Sequence, residues 1–96
     1  HGLAVAYASK LIGLQATVYL PETTSSLKID KIKALGAKIQ PVQGDGLEAE
    51  IQANKNAQES GKVFISPYND SMVMAGQGTL GIELEKQLPD LDAVFI

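Results

Sequence analysis

Strict alternation constrains this chain more than any other feature, because segments with helical spacing take turns with short β-branched runs and only a few residues separate them. The order is helix, strand, helix, strand, helix, strand, helix, strand. Each strand is too close to the next helix for a hairpin, so each pair of strands must be joined by a crossover. Crossovers of this kind are right-handed and generate a parallel sheet covered by helices on both faces. The expected architecture is an open, doubly wound α/β layer.

The local signals agree with that order. Gly2 to Ile12 is Ala-rich, with Leu3, Val5, Leu11 and Ile12, and Gly13 stops it. Its small side chains suit close approach to a sheet, and only Ser9 and Lys10 read as solvent-facing. Gln15 to Leu20 is a buried-strand pattern closed by Pro21. Thr23 to Ser26 offers several N-caps to a helix carrying Ile29, Ile32 and Leu35, with Lys28, Lys31 and Lys33 off its stripe and Gly36 at its end. Ala37 to Val42 is the second strand. Gly44-Asp45-Gly46 then turns the chain into a helix with Leu47, Ile51, Ala53 and Ala57, stopped by Ser60-Gly61. Lys62 to Ser66 reads as a third strand, Asn69-Asp70 caps a long helix through Leu88, and Pro89 precedes a final strand at Ala93 to Ile96.

In such sheets ligands bind outside the carboxyl ends of the strands. Those ends are Pro21-Glu22-Thr23-Thr24, Gln43-Gly44-Asp45 and Ser66-Pro67-Tyr68-Asn69-Asp70. Their hydroxyls and carboxylates suit one edge of a small-molecule site. They equally suit turns and helix caps, and that simpler account is preferred on the residues alone.

Composition removes several functions. With eight Lys plus Arg against eleven Asp plus Glu, the net charge is −3 and the lysines are scattered, so no basic field exists for nucleic acid. No cysteine is present and His1 is the lone histidine, which leaves neither a disulfide framework nor a structural zinc site, and no metal is expected. No apolar run approaches the roughly 18 residues of a spanning helix, so no membrane partner is expected. At 96 residues and 45% hydrophobic content the chain supports one modest core. Because it opens directly into a helix and stops within a strand pattern, it is expected to be an internal piece of a longer protein.

One motif points elsewhere. Gly76-Gln77-Gly78-Thr79-Leu80-Gly81 spells the GxGxxG of a dinucleotide-binding turn. That fingerprint works in a tight turn between strand and helix, where backbone amides reach the pyrophosphate. Here the glycines follow Asp70 and Ser71 to Ala75, one to two turns inside a helix whose amides are already engaged. The acidic residue required about 20 positions on falls where Phe95 and Ile96 stand. The glycines are instead expected to thin one helix face for close packing, opposite Val73, Leu80, Leu84 and Leu88, at a propensity cost of about 1 kcal/mol each. Gln77 lies within the apolar stripe, and burying its amide unpaired would cost roughly 1–3 kcal/mol.

The succession HGLAVAYASKLIG, ATVYLPETTSSLKIDKIKALGAKI and VFISPYNDSMVMAGQGTLGIELEKQLPDLDAVFI resembles the pyridoxal-phosphate-dependent serine/threonine dehydratase and serine racemase family along essentially its whole length. PET, KALGA and AGQGT at their mutual spacing are far more specific than any one of them. The resemblance implies a Rossmann-like three-layer α/β fold of the fold type II class, with a small mobile domain, a larger domain and the cofactor between them. Residues 1–68 would be most of the small domain, lacking its first strand. Residues 69–96 would be the connecting helix and one strand of the large domain. His1 and Gly2 would end the family's Ser-Gly-Asn-His-Gly loop, which holds the substrate carboxylate. Tyr68 falls where the family places an aromatic or amide side chain in the cleft facing the cofactor, although a residue ending a strand and packing in a loop would look the same.

The family's imine-forming lysine and its glycine-rich phosphate loop have no counterpart here, and none of the eight lysines stands in a matching context. Pyridoxal chemistry depends on both. The resemblance therefore implies that the intact protein converts L-threonine or L-serine to a 2-oxo acid and ammonia with pyridoxal phosphate, serine racemisation being the near variant. The isolated chain is expected to be inactive and to hold no cofactor. A homo-oligomer in the cytoplasm is expected, with an organellar address left open. The rival reading is a non-catalytic α/β module that binds a small ligand or a protein through its strand-end loops.

Overall fold

A computed structural model describes residues 1–95 and forms, in chain order, α1 (Gly2–Leu11), β1 (Thr17–Pro21), α2 (Ser26–Ala34), β2 (Lys38–Val42), α3 (Gly46–Ser60) and α4 (Ser71–Gln87). β1 and β2 pair in parallel, with Thr17 opposite Lys38, Tyr19 opposite Gln40 and Pro21 opposite Val42. The ladder runs on at both ends. Lys38 N–H donates to the Ala16 carbonyl at 2.9 Å and Glu22 N–H to the Val42 carbonyl at 2.9 Å. The Gln15 side-chain amide donates to the Gly36 carbonyl at 2.8 Å, which ties the approach to β1 to the turn before β2.

Strand alternation sorts the side chains onto two faces. Val18, Leu20 and Ile39 point to one side, where they meet Ala6 of α1 and Ile32 of α2 in a cluster with Ala37. Tyr19, Gln40 and Val42 point to the other, which α3 covers. Val42 is 2% exposed and Ala49 and Ala57 of α3 are buried. Enclosing a side chain of the size of valine stabilises the fold by roughly 1.5–3 kcal/mol. The helix–sheet–helix layering expected from the alternation is thus present, built on a two-stranded sheet.

α3 is delimited at both ends. Asp45 Oδ1 accepts from the N–H groups of Leu47 and Glu48 at 2.9 and 3.1 Å, and Gly61 closes the helix at φ +66, the left-handed region where glycine carries no Cβ penalty. α4 is capped in the same way: Asp70 Oδ1 accepts from Met72 and Val73 N–H at 2.8 and 3.1 Å. Both caps agree with the sequence reading. At α2 the N-cap is Ser25, and its side chain makes no capping bond.

Several expectations need correction. Lys62 to Ser66 does not form a third strand, and 93–95 do not form a fourth; Ile96, the last residue of that expected strand, lies outside the described residues. A β-branched run becomes a strand only by pairing, and the described sheet ends at β1 and β2. Val63 accordingly stays 88% exposed and Phe95 97%. In α1, Ser9 is half-buried while Leu3, Tyr7 and Leu11 are exposed, because only the stripe through Gly2, Val5, Ala6 and Ser9 meets the sheet and α2. In α4 no residue is buried, and among the described residues a methyl group at Gly76, Gly78 or Gly81 would meet nothing within 4 Å, so the expected close packing of the glycine face is not seen there. Gln77 is exposed and needs no buried partner.

The chain divides into two compact units, His1–Phe64 and Ile65–Ile96. The first holds both strands and α1 to α3, and the second holds α4. No helix among the described residues is long and apolar enough to cross a membrane.

Candidate functional site

In the first unit, both strands end in turns at the carboxyl edge of the sheet, and α1 begins against β1. β1 ends in Pro21 and turns at once, with Thr24 N–H donating to the Pro21 carbonyl at 2.9 Å. β2 ends in Val42 and passes through Gly44, at φ +111, into the Asp45 cap. α1 leads into the amino end of β1, and its first residue, Gly2, lies over Val18 and Leu20 of that strand.

His1 is the N-cap of α1 and its carbonyl accepts from Val5 N–H at 3.0 Å. Gly2 is the first helical residue and rests on the sheet. A methyl group there would lie 2.8 Å from Val18 Cγ1, 3.6 Å from Ile32 Cδ1 and 4.0 Å from Leu20 Cδ2. Carbon atoms pack best at about 3.5–4.0 Å, so a side chain at this position would require Val18 or α1 to shift. The first amides of a helix have no carbonyl within it to donate to, and the helix dipole adds positive character there. Such an end suits a carboxylate.

Tyr68 lies in the second unit and is 65% exposed. It stands in a turn closed by Ser66, whose Oγ accepts from Tyr68 N–H at 3.1 Å and Asn69 N–H at 3.0 Å. Ser66 is buried, so its hydroxyl serves the turn rather than presenting itself to a ligand. Asp45 and Asp70 are likewise committed to capping. For these three residues the geometry agrees with the turn-and-cap account.

Two further features bear on chemistry. An open groove of about 580 Å³ runs along the α3 face of the sheet, between Tyr19 and Gln40 on one side and Glu48, Gln52, Lys55 and Asn56 on the other. Among the described residues no three His, Asp or Glu side chains gather as metal ligands. Sequence reasoning missed Val18, which the structure places directly under Gly2; the one available signal was a glycine opening a helix that is otherwise rich in alanine.

A model of the family described as pyridoxal-phosphate-dependent enzymes matches residues 1–96. The biosynthetic L-threonine dehydratase of Haemophilus influenzae is 35% identical over 96 residues, covering 100% of this chain and 19% of that protein. The serine racemase of Arabidopsis thaliana is 33% identical over 96 residues, again 100% of this chain and 29% of the relative. Among solved structures, a pyridoxal 5'-phosphate-dependent aspartate racemase superposes with a TM-score of 0.87 at 36% identity, over 96% of this chain and 28% of the other. The chain therefore spans less than a third of each of these three proteins. A family match over residues 1–96, a similar backbone and an α/β fold that matches the class expected from the sequence lead to one assignment: this chain belongs to the pyridoxal-phosphate-dependent enzyme family.

Proposed function

We propose that the full-length protein is a pyridoxal-phosphate-dependent ammonia-lyase that converts L-threonine or L-serine to a 2-oxo acid and ammonia. The observation that carries this reading is the 35% identity to a threonine dehydratase over all 96 residues. In it, residues 1–68 form most of the small domain, and residues 69–96 supply the connecting helix and a segment of the large domain. His1 and Gly2 end the loop that holds the substrate carboxylate, an assignment supported by the amide-bearing start of α1, where His1 is the N-cap. Tyr68 faces the cofactor from the cleft, and its exposure leaves the ring available for that contact. The assembly is a cytoplasmic homo-oligomer.

The described residues do not by themselves fit the cofactor. All eight lysines occupy exposed positions, whereas an imine-forming amine works from a desolvated pocket. The amides of Gly76 to Gly81 belong to the body of α4 and offer no phosphate cradle. No step of catalysis is assigned to this chain's residues, and the isolated chain is inactive. The lysine and the phosphate loop are supplied by the remainder of the protein.

Incubating the full-length protein with pyridoxal phosphate and L-threonine or L-serine tests the reading. Stoichiometric ammonia and 2-oxo acid are expected, and failure to form them from either amino acid would overturn it. Serine racemisation is the second reading, favoured by the 33% identity to a serine racemase. D-serine produced without ammonia would replace the first reading with the second.

A further inference from the structure

We propose that Val18 is a positioning residue for the substrate-holding turn, its Cγ1 setting how low the His1–Gly2 backbone sits over the sheet. This rests on the reading that His1 and Gly2 end the substrate loop. The contact is close and its floor is rigid. A methyl at Gly2 would lie 2.8 Å from Val18 Cγ1, a separation carbon atoms do not adopt without movement.

Val18 cannot yield easily. It is buried, it lies in β1 opposite Ile39 in the ladder, and its β-branched side chain has few χ1 alternatives. Ile32 Cδ1 at 3.6 Å and Leu20 Cδ2 at 4.0 Å close the flanks. The moving part is therefore α1, displaced by roughly 1 Å if the contact is to relax to normal packing distance. Its first turn carries the His1 carbonyl and the leading amides, so a lift there carries the carboxylate-binding edge with it. A misplacement of about 1 Å in substrate-orienting groups can lower kcat/KM by up to the order of 100-fold.

The test compares the full-length protein with Gly2→Ala and Gly2→Ala/Val18→Ala variants. Gly2→Ala is expected to raise KM for the amino acid about tenfold or more with a smaller change in kcat, the pattern of lost binding. Removing both Val18 methyls makes room for the new one, so the double variant should recover most of the wild-type KM. Its thermal midpoint should nevertheless stay below wild type, because truncating a buried valine leaves a cavity. A merely structural role would make KM follow the thermal midpoint. Retention of the Gly2→Ala KM in the double variant, or no KM change in Gly2→Ala, would overturn the proposal.

Amide exchange at Val5, whose N–H donates to the His1 carbonyl, provides a readout independent of activity. Alanine is the better helix former, so propensity alone predicts slower exchange in both variants. The proposal predicts faster exchange in Gly2→Ala and slower exchange in the double variant. Slower exchange in both would overturn it. If the wild-type protein forms neither a 2-oxo acid nor D-serine, the functional reading falls and the exchange result alone decides the seating. Should Gly2→Ala fail to fold, recovery of folded protein in the double variant supports the proposal, and failure of both counts against it.

Discussion

Individual polar residues at the strand ends are employed in building the fold. Asp70 is the clearest case. Its carboxylate takes two of the orphan amides of α4, at 2.8 and 3.1 Å, and α4 buries no side chain that could hold the helix in place otherwise. Capping is therefore a large share of what starts this helix. Replacing an N-cap Asp by Ala costs typically about 1 kcal/mol. Asp70→Ala in the 96-residue chain is expected to lower helical ellipticity and the urea midpoint together. Asp70→Asn, which retains an accepting oxygen, should stay close to wild type. If Asp70→Ala left both signals unchanged, the cap would not be what begins α4. The same logic places Asp45 and Ser66 among structural residues.

Among the elements, α4 differs from the rest. Gly76, Gly78 and Gly81 sit in its interior with open space where a side chain would go. Each glycine in a helix interior costs about 1 kcal/mol relative to alanine, and among the described residues no packing contact at these positions offsets it. Gly78→Ala should therefore raise the helicity of the 96-residue chain. In the full-length protein, where the connector reading has this face covered by neighbouring elements, the same substitution should destabilise. Stabilisation in both contexts would remove the packing role proposed for the glycine face. α4 also shows why some of the structure was legible in the sequence. Helix boundaries marked by Asp45, Asp70 and Gly61 were readable because a cap acts within a few residues of itself. The segment Lys62 to Ser66 was misread because β-branched composition reports suitability for a sheet, while the strand itself depends on a partner that local sequence does not name. The GxGxxG spelling was resolved by context, since a glycine run inside a helix has no free amides. His1, Gly2 and Tyr68 were singled out through a family resemblance. The seat under Gly2 was invisible because it joins α1 to β1 across a turn, and only the packed structure sets the Gly2 backbone over Val18 Cγ1.

For the molecule as a whole, the balance between core and surface decides how the chain behaves alone. The buried apolar residues described are Ala6, Val18, Ile32 and Ala37 on the α1–α2 side of the sheet and Val42, Ala49 and Ala57 on the α3 side, four of the seven being alanines. Meanwhile Leu3, Tyr7 and Leu11 line the outer side of α1, and Met72, Met74, Leu80 and Ile82 are exposed on α4. Burial supplies about 25 cal/mol per Å² of apolar surface, so a core of this size yields little against the conformational entropy of ordering the chain. A two-stranded parallel sheet also leaves backbone donors and acceptors along its outer edges, which template further pairing. Both effects drive the 96-residue chain to cover itself with copies of itself. Sedimentation velocity should show dimers or larger species that grow with protein concentration, and urea should dissociate them over the same range in which ellipticity is lost. Adding sulfate, which strengthens apolar burial, should move the distribution to larger species, whereas adding sodium chloride at equal ionic strength should do so less. If charge pairing held the copies together, salt of either kind would instead disperse them. A monomer at high concentration with a cooperative urea transition would mean that the small cluster around Val18 and Ile32 suffices on its own. In that case, self-association of the full-length protein would have to be attributed to surfaces other than α1 and α4.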